Sequence, residues 1–330
     1  MNEIIEKIKQ SGLKGRGGAN FPVGIKWEIF NATLANKKYV IMNAAEGEPD
    51  VFKDRYILEN HLEETLKGFK LALDLFKNTQ GYIFLNKSLY DLLENKIRKF
   101  VNKWPVNLVK EKGGYLNGEE TVLIESIEGH RLEPRIKPPY PPEKGLWQFP
   151  TLINNVETFY HVYQISQNQY HQTRFYSLTG DLNNIGVYEL KEDLNILEIL
   201  KQTKNLPEKP FFVQVGGGAS GIFLEQENLD QPISGAGSLI VYDTNKTDKI
   251  KVLKKILSFF LKENCGQCVP CREGIYRLNE LILKKSIDWL KAKELCQTLK
   301  ESSFCGLGVG CGMACESLID IIVKFNQANG

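Results

Sequence analysis

All seven cysteines of this chain, Cys265, Cys268, Cys271, Cys296, Cys305, Cys311 and Cys315, fall in its last fifth. That clustering constrains the fold more than any other feature. A disulfide framework scatters its cysteines, and thiols of an intracellular chain stay reduced, so a cluster points to a metal site. CGQCVPCREG spaces Cys265, Cys268 and Cys271 as C-x2-C-x2-C, and Cys305 in SFCGLGVGC is a distant fourth thiolate. Three thiolates so spaced wrap one corner of a 4Fe-4S cubane and a remote one closes it. Four thiolates also suit tetrahedral zinc, but zinc sites usually come as two C-x2-C pairs, so the pattern favours iron-sulfur. Cys296 reads as a small buried apolar residue, Cys311 and Cys315 as spare ligands or passengers.

A chain of 330 residues exceeds what one core organises, which implies two or three domains. Its 42 basic and 40 acidic residues leave a net charge of +2 without long runs of one sign, so no nucleic-acid partner is expected. The start, MNEIIEKIKQSGLKGRGG, reads as a short amphipathic helix rather than a secretory signal. No run of about 18 apolar residues stands out, so no membrane span is expected. The expected location is the cytoplasm, or the periphery of a membrane complex.

Changes of pattern divide the chain. Residues 1–165 alternate strand-like runs, 38–42 and 81–85, with a helix-like stretch over 54–76, which predicts an α/β domain. EPRIKPPYPPEKGLWQFP, residues 133–150, is too rich in proline for a helix and must be an extended loop. Residues 172–245 carry short β-like pieces at 174–178, 186–190, 211–215 and 238–242 with one helix near 195–202. From residue 248 to 330 the pattern predicts four helices, over 250–262, 273–284, 287–300 and 315–325, with cysteines near their ends. The expected fold is thus α+β and multidomain.

Glycine-rich segments supply the candidate binding loops. GLKGRGGANFPVGIKW combines clustered glycines with Arg16 and Lys26, a pattern that admits a phosphate or a flat ring close to the backbone. NAAEGEPDVFKDR sets Glu46 and Glu48, and GGYLNGEETVLIESIEGHR sets Glu119 and Glu120, within glycine-rich turns, where carboxylates can receive ribose hydroxyls. A literal G-x-G-x-x-G at Gly216, Gly218 and Gly221 lacks a following helix and reads as a turn. Trp147 either packs or helps shape a pocket. His61, His130, His161 and His171 have no metal-ligand spacing.

Taken together, GRGGANFPVGIKW, NAAEGEPDVFKDR, GGYLNGEETVLIESIEGHR, PRIKPPYPPEKGLWQFPTLINNVET and CGQCVPCREG resemble the NADH-binding, FMN-containing 51-kilodalton subunit of respiratory complex I. That family includes diaphorase subunits of NAD-dependent hydrogenases and formate dehydrogenases. The resemblance implies a Rossmann-like FMN domain, a ubiquitin-like β-grasp domain and a four-helix bundle holding a 4Fe-4S cluster on Cys265, Cys268, Cys271 and Cys305. It implies that Gly15, Arg16, Gly17, Gly18 and Lys26 cradle FMN. Asn43, Glu46, Tyr115, Gly118, Glu119, Asn154, Asn155 and Thr158 would complete that site. Phe21 and Tyr140 would stack on the nicotinamide nucleotide, with Glu48, Glu120 and Lys137 as polar contacts and Glu120 excluding NADPH. The implied reaction is hydride transfer from NADH to FMN, then single electrons to the cluster, with no side chain as general acid or base. The implied partners are a thioredoxin-like 2Fe-2S subunit and a larger iron-sulfur subunit.

Three positions depart from the family pattern. Ala45 stands where aspartate is common, Asn117 where cysteine is common and Asn264 where serine is usual. Ala45 keeps a second class of function open, a degenerate relative serving as an iron-sulfur relay or scaffold without productive flavin or NADH binding. A zinc-stabilised binding module is a third, and it would be colourless.

Overall fold

The computed structural model describes residues 3–329, and they divide into two compact units. One comprises Met1–Gly47 and Phe52–Phe175, the other Glu48–Val51 and Tyr176–Gly330.

In the first unit, helices α1 (Glu3–Gln10) and α2 (Val23–Ala32) precede β1 (Lys38–Ala44). Helices α3 (Lys53–Asn60) and α4 (Leu62–Leu75) then lead to β2 (Thr79–Leu85), α5 (Lys87–Val101) to β3 (Val106–Lys110), and α6 (Glu120–Glu128) precedes β4 (Thr151–Asn155) and α7 (Val156–Ser166). Strand β1 is buried along nearly its whole length, as a strand of a parallel sheet covered on both faces must be. The sheet runs β3-β2-β1-β4 with every neighbouring pair parallel. The helix expected over 54–76 is two helices, because His61 leaves the helical region at φ −130°, ψ 35°.

That strand order creates a topological switch. From β1 the chain steps outward through β2 to β3, then returns to pair β4 with the other side of β1. Crevices at the carboxyl ends of strands flanking such a switch are where open α/β sheets bind ligands. Here the register sets Met42 opposite Asn154 and Asn43 opposite Asn155 at those ends.

The second unit holds a mixed sheet with one helix packed on it and, after them, four further helices. Strands β5 (Thr173–Gly180), β6 (Gly186–Lys191), β7 (Phe211–Val215), β8 (Ile222–Glu225) and β9 (Ser238–Asp243) are ordered β6-β5-β9-β7-β8. Helix α8 (Ile196–Gln202) packs Ile196, Ile199 and Leu200 on the sheet's apolar side and is nucleated by a capping box of Asn195 and Glu198. Because β7 and β8 are antiparallel neighbours, the G-x-G-x-x-G between them is a hairpin turn, as its sequence context indicated.

Helices α9 (Lys249–Glu263), α10 (Val269–Ile282), α11 (Trp289–Ser302) and α12 (Gly306–Asn329) follow. Helix α12 begins nine residues before the expected start at 315. Its glycines, poor helix formers by propensity, are there for packing: a side-chain carbon at Gly312 would fall 2.6 Å from the Cys296 carbonyl oxygen of α11. By length and hydropathy Gly306–Gln327 could also cross a membrane, but 61% of its most apolar stretch is buried within the protein, as in a core helix.

Gly68 of α4 offers a test of the first unit's packing, since a side-chain carbon there would lie 1.9 Å from the Phe159 carbonyl oxygen of α7. Gly68→Ala should lower stability by about 3 kcal/mol, at the upper end for overpacking, despite alanine's better helix propensity. Thermal denaturation of both proteins checks this, and an unchanged or raised midpoint would refute the contact.

Candidate functional site: a flavin crevice and a four-cysteine cage

The glycine-rich loop of the first unit is closed at its base. Gly15 donates its amide to the Phe21 carbonyl at 2.8 Å, and Lys14 and Pro22 form an antiparallel bridge. Between them Gly18 has φ +111° and Asn20 φ +53°, and Gly17 and Ala19 are exposed. Alternation of this kind turns successive amides toward one side, a geometry that suits an anion. The loop rests on the start of α7, where the Arg16 amide donates to Thr158 Oγ1 at 3.0 Å.

Around the ends of β1 and β4 the expected residues assemble. Asn43 Nδ2 donates to the Gly118 carbonyl and its Oδ1 accepts from the Ala45 amide, both at 3.0 Å, so one asparagine joins the two acidic loops. Trp27 Nε1 donates to Asn154 Oδ1 at 3.0 Å. Gly47 lets Tyr115 approach, for a side-chain carbon there would meet Tyr115 Cα at 3.1 Å. Asn155 caps α7 by accepting from the Glu157 amide, and its Nδ2 donates to Asp54 Oδ2 at 2.6 Å.

Alternating charges line one side. Lys26 Nζ bonds Glu120 at 3.0 Å, while Lys137 Nζ bonds Glu119 at 2.8 Å and Glu120 at 3.0 Å. Glu119 also caps α6, accepting from the amides of Thr121 and Val122. Burial opposes the charge on Glu120, but Lys26 and Lys137 outweigh it and hold the carboxyl below its ordinary range. Phe21 and Tyr140, the two expected stacking aromatics, are 47% and 53% exposed, so their faces are open to a ligand.

Three expected contacts differ from the simplest reading of the sequence. The Arg16 guanidinium turns inward, and the residue is only 3% exposed. Glu46 caps helix α3, accepting from the Asp54 amide at 2.8 Å and the Arg55 amide at 3.2 Å. Glu48 belongs to the second unit, where one carboxylate oxygen accepts from the Ala219 amide, the Ser220 amide and Ser220 Oγ. The turn at Gly216–Gly221 therefore holds an internal carboxylate.

Sequence reasoning missed the buried charges beneath the crevice. Lys53 Nζ bonds Asp54 Oδ1 at 2.6 Å and lies 3.1 Å from Glu157 Oε2. Glu157 is fully buried, as is His161, whose Nε2 lies 3.5 Å from Glu157 Oε1. Burial disfavours the Glu157 charge, yet Lys53, His161 and Arg174 hold its carboxyl far below the usual range. A signal was present, since Lys53, Asp54 and Glu157 lie inside two of the quoted motifs. Trp147 packs its ring edge-on against Tyr39 and Tyr82.

The second unit gathers the cysteines of the proposed cluster. Cys265 follows α9, Cys268 caps α10, Cys271 lies in its first turn, and Cys305 immediately precedes α12. Helix starts carry partial positive charge, which favours thiolates. Asn264 supports the loop, its Nδ2 donating to the Phe260 and Leu261 carbonyls and its Oδ1 accepting from Gly266. Burial, then the neighbouring Cys268, Cys305 and Cys265, push the Cys271 thiol up to about 12. Three sulfurs close enough to act on Cys271 complete a set of four donors that fits an iron-sulfur centre, which would stabilise them as thiolates.

Cys296, Cys311 and Cys315 are fully buried, Cys296 in α11 and the others in α12.

Fold and site are of the kind found in cofactor-bearing oxidoreductase components, a crevice at a topological switch and a separate gathering of four cysteines. Residues 8–164 match the Nuo51 FMN-binding domain, and residues 251–325 match the NADH-ubiquinone oxidoreductase-F iron-sulfur binding region. A subunit of the NADH-quinone oxidoreductase of Buchnera aphidicola subsp. Schizaphis graminum is 34% identical, over 96% of this chain and 82% of that protein. The NADP-reducing hydrogenase subunit HndC of Solidesulfovibrio fructosivorans is 31% identical over 93% of this chain and 71% of its own length. The crystal structure of an H2-reduced NAD+-reducing [NiFe]-hydrogenase superposes with a TM-score of 0.87 at 28% identity. That likeness covers 98% of this chain but only 61% of the hydrogenase chain. The chain belongs to the complex I 51-kilodalton family, the NADH-oxidising subunits that carry FMN and a 4Fe-4S cluster.

Glu46 yields a pH prediction. Burial and the Asp54 charge push its carboxyl up to about 7 from 4.5, against Lys53 and the two amides. A carboxyl raised on folding contributes stability that is fully present below its unfolded value of 4.5 and is lost as pH rises through about 7. Stability measured by denaturant titration should therefore fall across that window, and Glu46→Gln should flatten the fall. An identical slope in the variant would contradict the assignment.

Proposed function

We propose that this chain oxidises NADH within a multisubunit electron-transfer complex, binding FMN at the carboxyl ends of β1 and β4 and passing electrons through a cluster on Cys265, Cys268, Cys271 and Cys305. The observation that carries this reading is the convergence of Asn43, Asn154, Asn155 and the Gly15–Gly18 loop at the topological switch. In fold terms the parallel sheet is the Rossmann-like part, the mixed sheet with α8 the β-grasp part, and the helices from 248 to 330 a third domain. When bound, FMN accepts hydride and hands on single electrons.

The protein's own task is orientation. Exposed amides of the glycine-rich loop face the phosphate, Asn43 and the Tyr115–Gly118 turn face the ring, and Phe21 and Tyr140 give the nucleotide flat surfaces. No side chain has to move a proton at a reacting atom. Ala45 lacks the carboxylate common at its position, but Asn43 still ties both acidic loops together there. Partners fitting the reading are a thioredoxin-like 2Fe-2S subunit and a larger iron-sulfur subunit, with the chain peripheral to any membrane.

Glu120 is the proposed discriminator between nucleotides. Its carboxylate occupies both Lys26 and Lys137, receives a ribose hydroxyl and repels a 2′-phosphate. Removing its charge frees Lys26 and leaves Lys137 with Glu119 alone, so Glu120→Gln should raise the ratio of NADPH to NADH kcat/KM by about tenfold or more, roughly 1.4 kcal/mol. Unchanged preference would assign discrimination elsewhere.

The reading itself is tested by visible spectra of the anaerobically purified chain titrated with NADH. Flavin bands that bleach, above a broad iron-sulfur shoulder, support it; a shoulder without flavin would instead mean a relay or scaffold. Cys305→Ser should remove the shoulder and leave the flavin bands.

A further inference from the structure

We propose that Arg16 and Glu157 are positioning residues of the flavin cradle, and that Arg16 shapes the glycine-rich loop from within the first unit and does not touch the flavin phosphate. The proposal rests on the FMN-binding reading. An arginine between glycines in such a loop invites the opposite assignment, a cation for the phosphate.

The geometry points inward. Arg16 is 3% exposed although Gly17 beside it is exposed. Its Nη2 donates to Tyr170 Oη at 3.2 Å and to the Thr173 carbonyl at 3.3 Å, and its Nε lies 3.9 Å from Glu157 Oε1. Its amide is committed to Thr158 Oγ1. Side chain and backbone thus pin one residue of the loop to both ends of the α7 region.

Glu157 is the shared counter-charge. Besides its ion pair with Arg16 it accepts from the Phe175 amide at 2.9 Å and lies 3.1 Å from Lys53 Nζ. Lys53 in turn reaches Asn155 Oδ1 at 3.3 Å and Asp54, which receives Asn155 Nδ2. One buried carboxylate thereby links the glycine-rich loop through Arg16, the acidic loop and α3 through Lys53, and the β4–α7 junction through Asn155. Those three segments form the crevice. For the guanidinium to reach a phosphate it would have to abandon its buried acceptors and leave Glu157 under-compensated in a low dielectric. Exposed loop amides can serve the phosphate without that cost.

The test compares FMN with riboflavin, which lacks the phosphate. The full chain is stripped of flavin, and binding of each flavin is followed by fluorescence quenching in wild type, Arg16→Lys, Tyr170→Phe, Glu157→Gln and Glu157→Asp. Cluster absorbance and melting temperature check that each variant is folded. Positioning predicts that Arg16→Lys and Glu157→Gln weaken both flavins by the same factor, about ten to a hundred, with the FMN-to-riboflavin ratio unchanged. Tyr170→Phe should do so more mildly, and Glu157→Asp should recover part of the loss. A selective loss of FMN in Arg16→Lys, with Glu157→Gln and Tyr170→Phe binding normally, would overturn the proposal in favour of direct contact. Should Glu157→Gln fail to fold, Arg16→Lys and Tyr170→Phe decide the matter by the same ratio. Failure of the wild type to bind either flavin would remove the FMN reading itself, a result separable from every variant outcome.

Discussion

A carboxylate without solvent exposure needs cations close by, and Glu157 meets that demand inside the first unit. Lys53, Arg16 and Arg174 supply them from the start of α3, the glycine-rich loop and β5, and the buried His161 ring of α7 lies beside it. An ion network of this kind adds little net stability over a well-packed apolar core. Its consequence is geometric: each partner has one low-energy position, and the backbone segments carrying them are held with it. The crevice at the ends of β1 and β4 inherits that definition.

Charge is handled differently nearer the surface. Glu119, Glu120, Lys26 and Lys137 alternate in sign within hydrogen-bond reach, partly open to solvent, where a ligand can enter the exchange. The second unit solves a related problem with sulfur, setting Cys268 and Cys305 at helix starts and Cys271 one turn inside α10.

Much of this was legible along the chain. Strands at 211–215 and 238–242, the helix near 195–202 and the hairpin at Gly216–Gly221 follow from local alternation and turn chemistry, and the structure has them within a residue or so. Helix α12 was foreshortened because four glycines between Gly306 and Gly312 argue against a helix by propensity. Tertiary contact overrides propensity at three of them, since the space at Gly308 is taken by Ser303 and Cys271, at Gly310 by Ser220 and at Gly312 by α11. The single helix expected over 54–76 hid a break at His61, for which no proline or glycine gave notice.

The sequence by itself determined the family, the gathering of its cysteines in one region and the loops that frame the crevice, because short spacings of cysteine, glycine and acid carry that chemistry locally. Only the tertiary structure decided which charges meet. The Arg16 guanidinium is bound 154 positions away at Tyr170, and Glu48 is bound 172 positions away at Ser220. Where a charged side chain points depends on partners that folding brings to it, and no local pattern encodes a counter-ion that far along the chain.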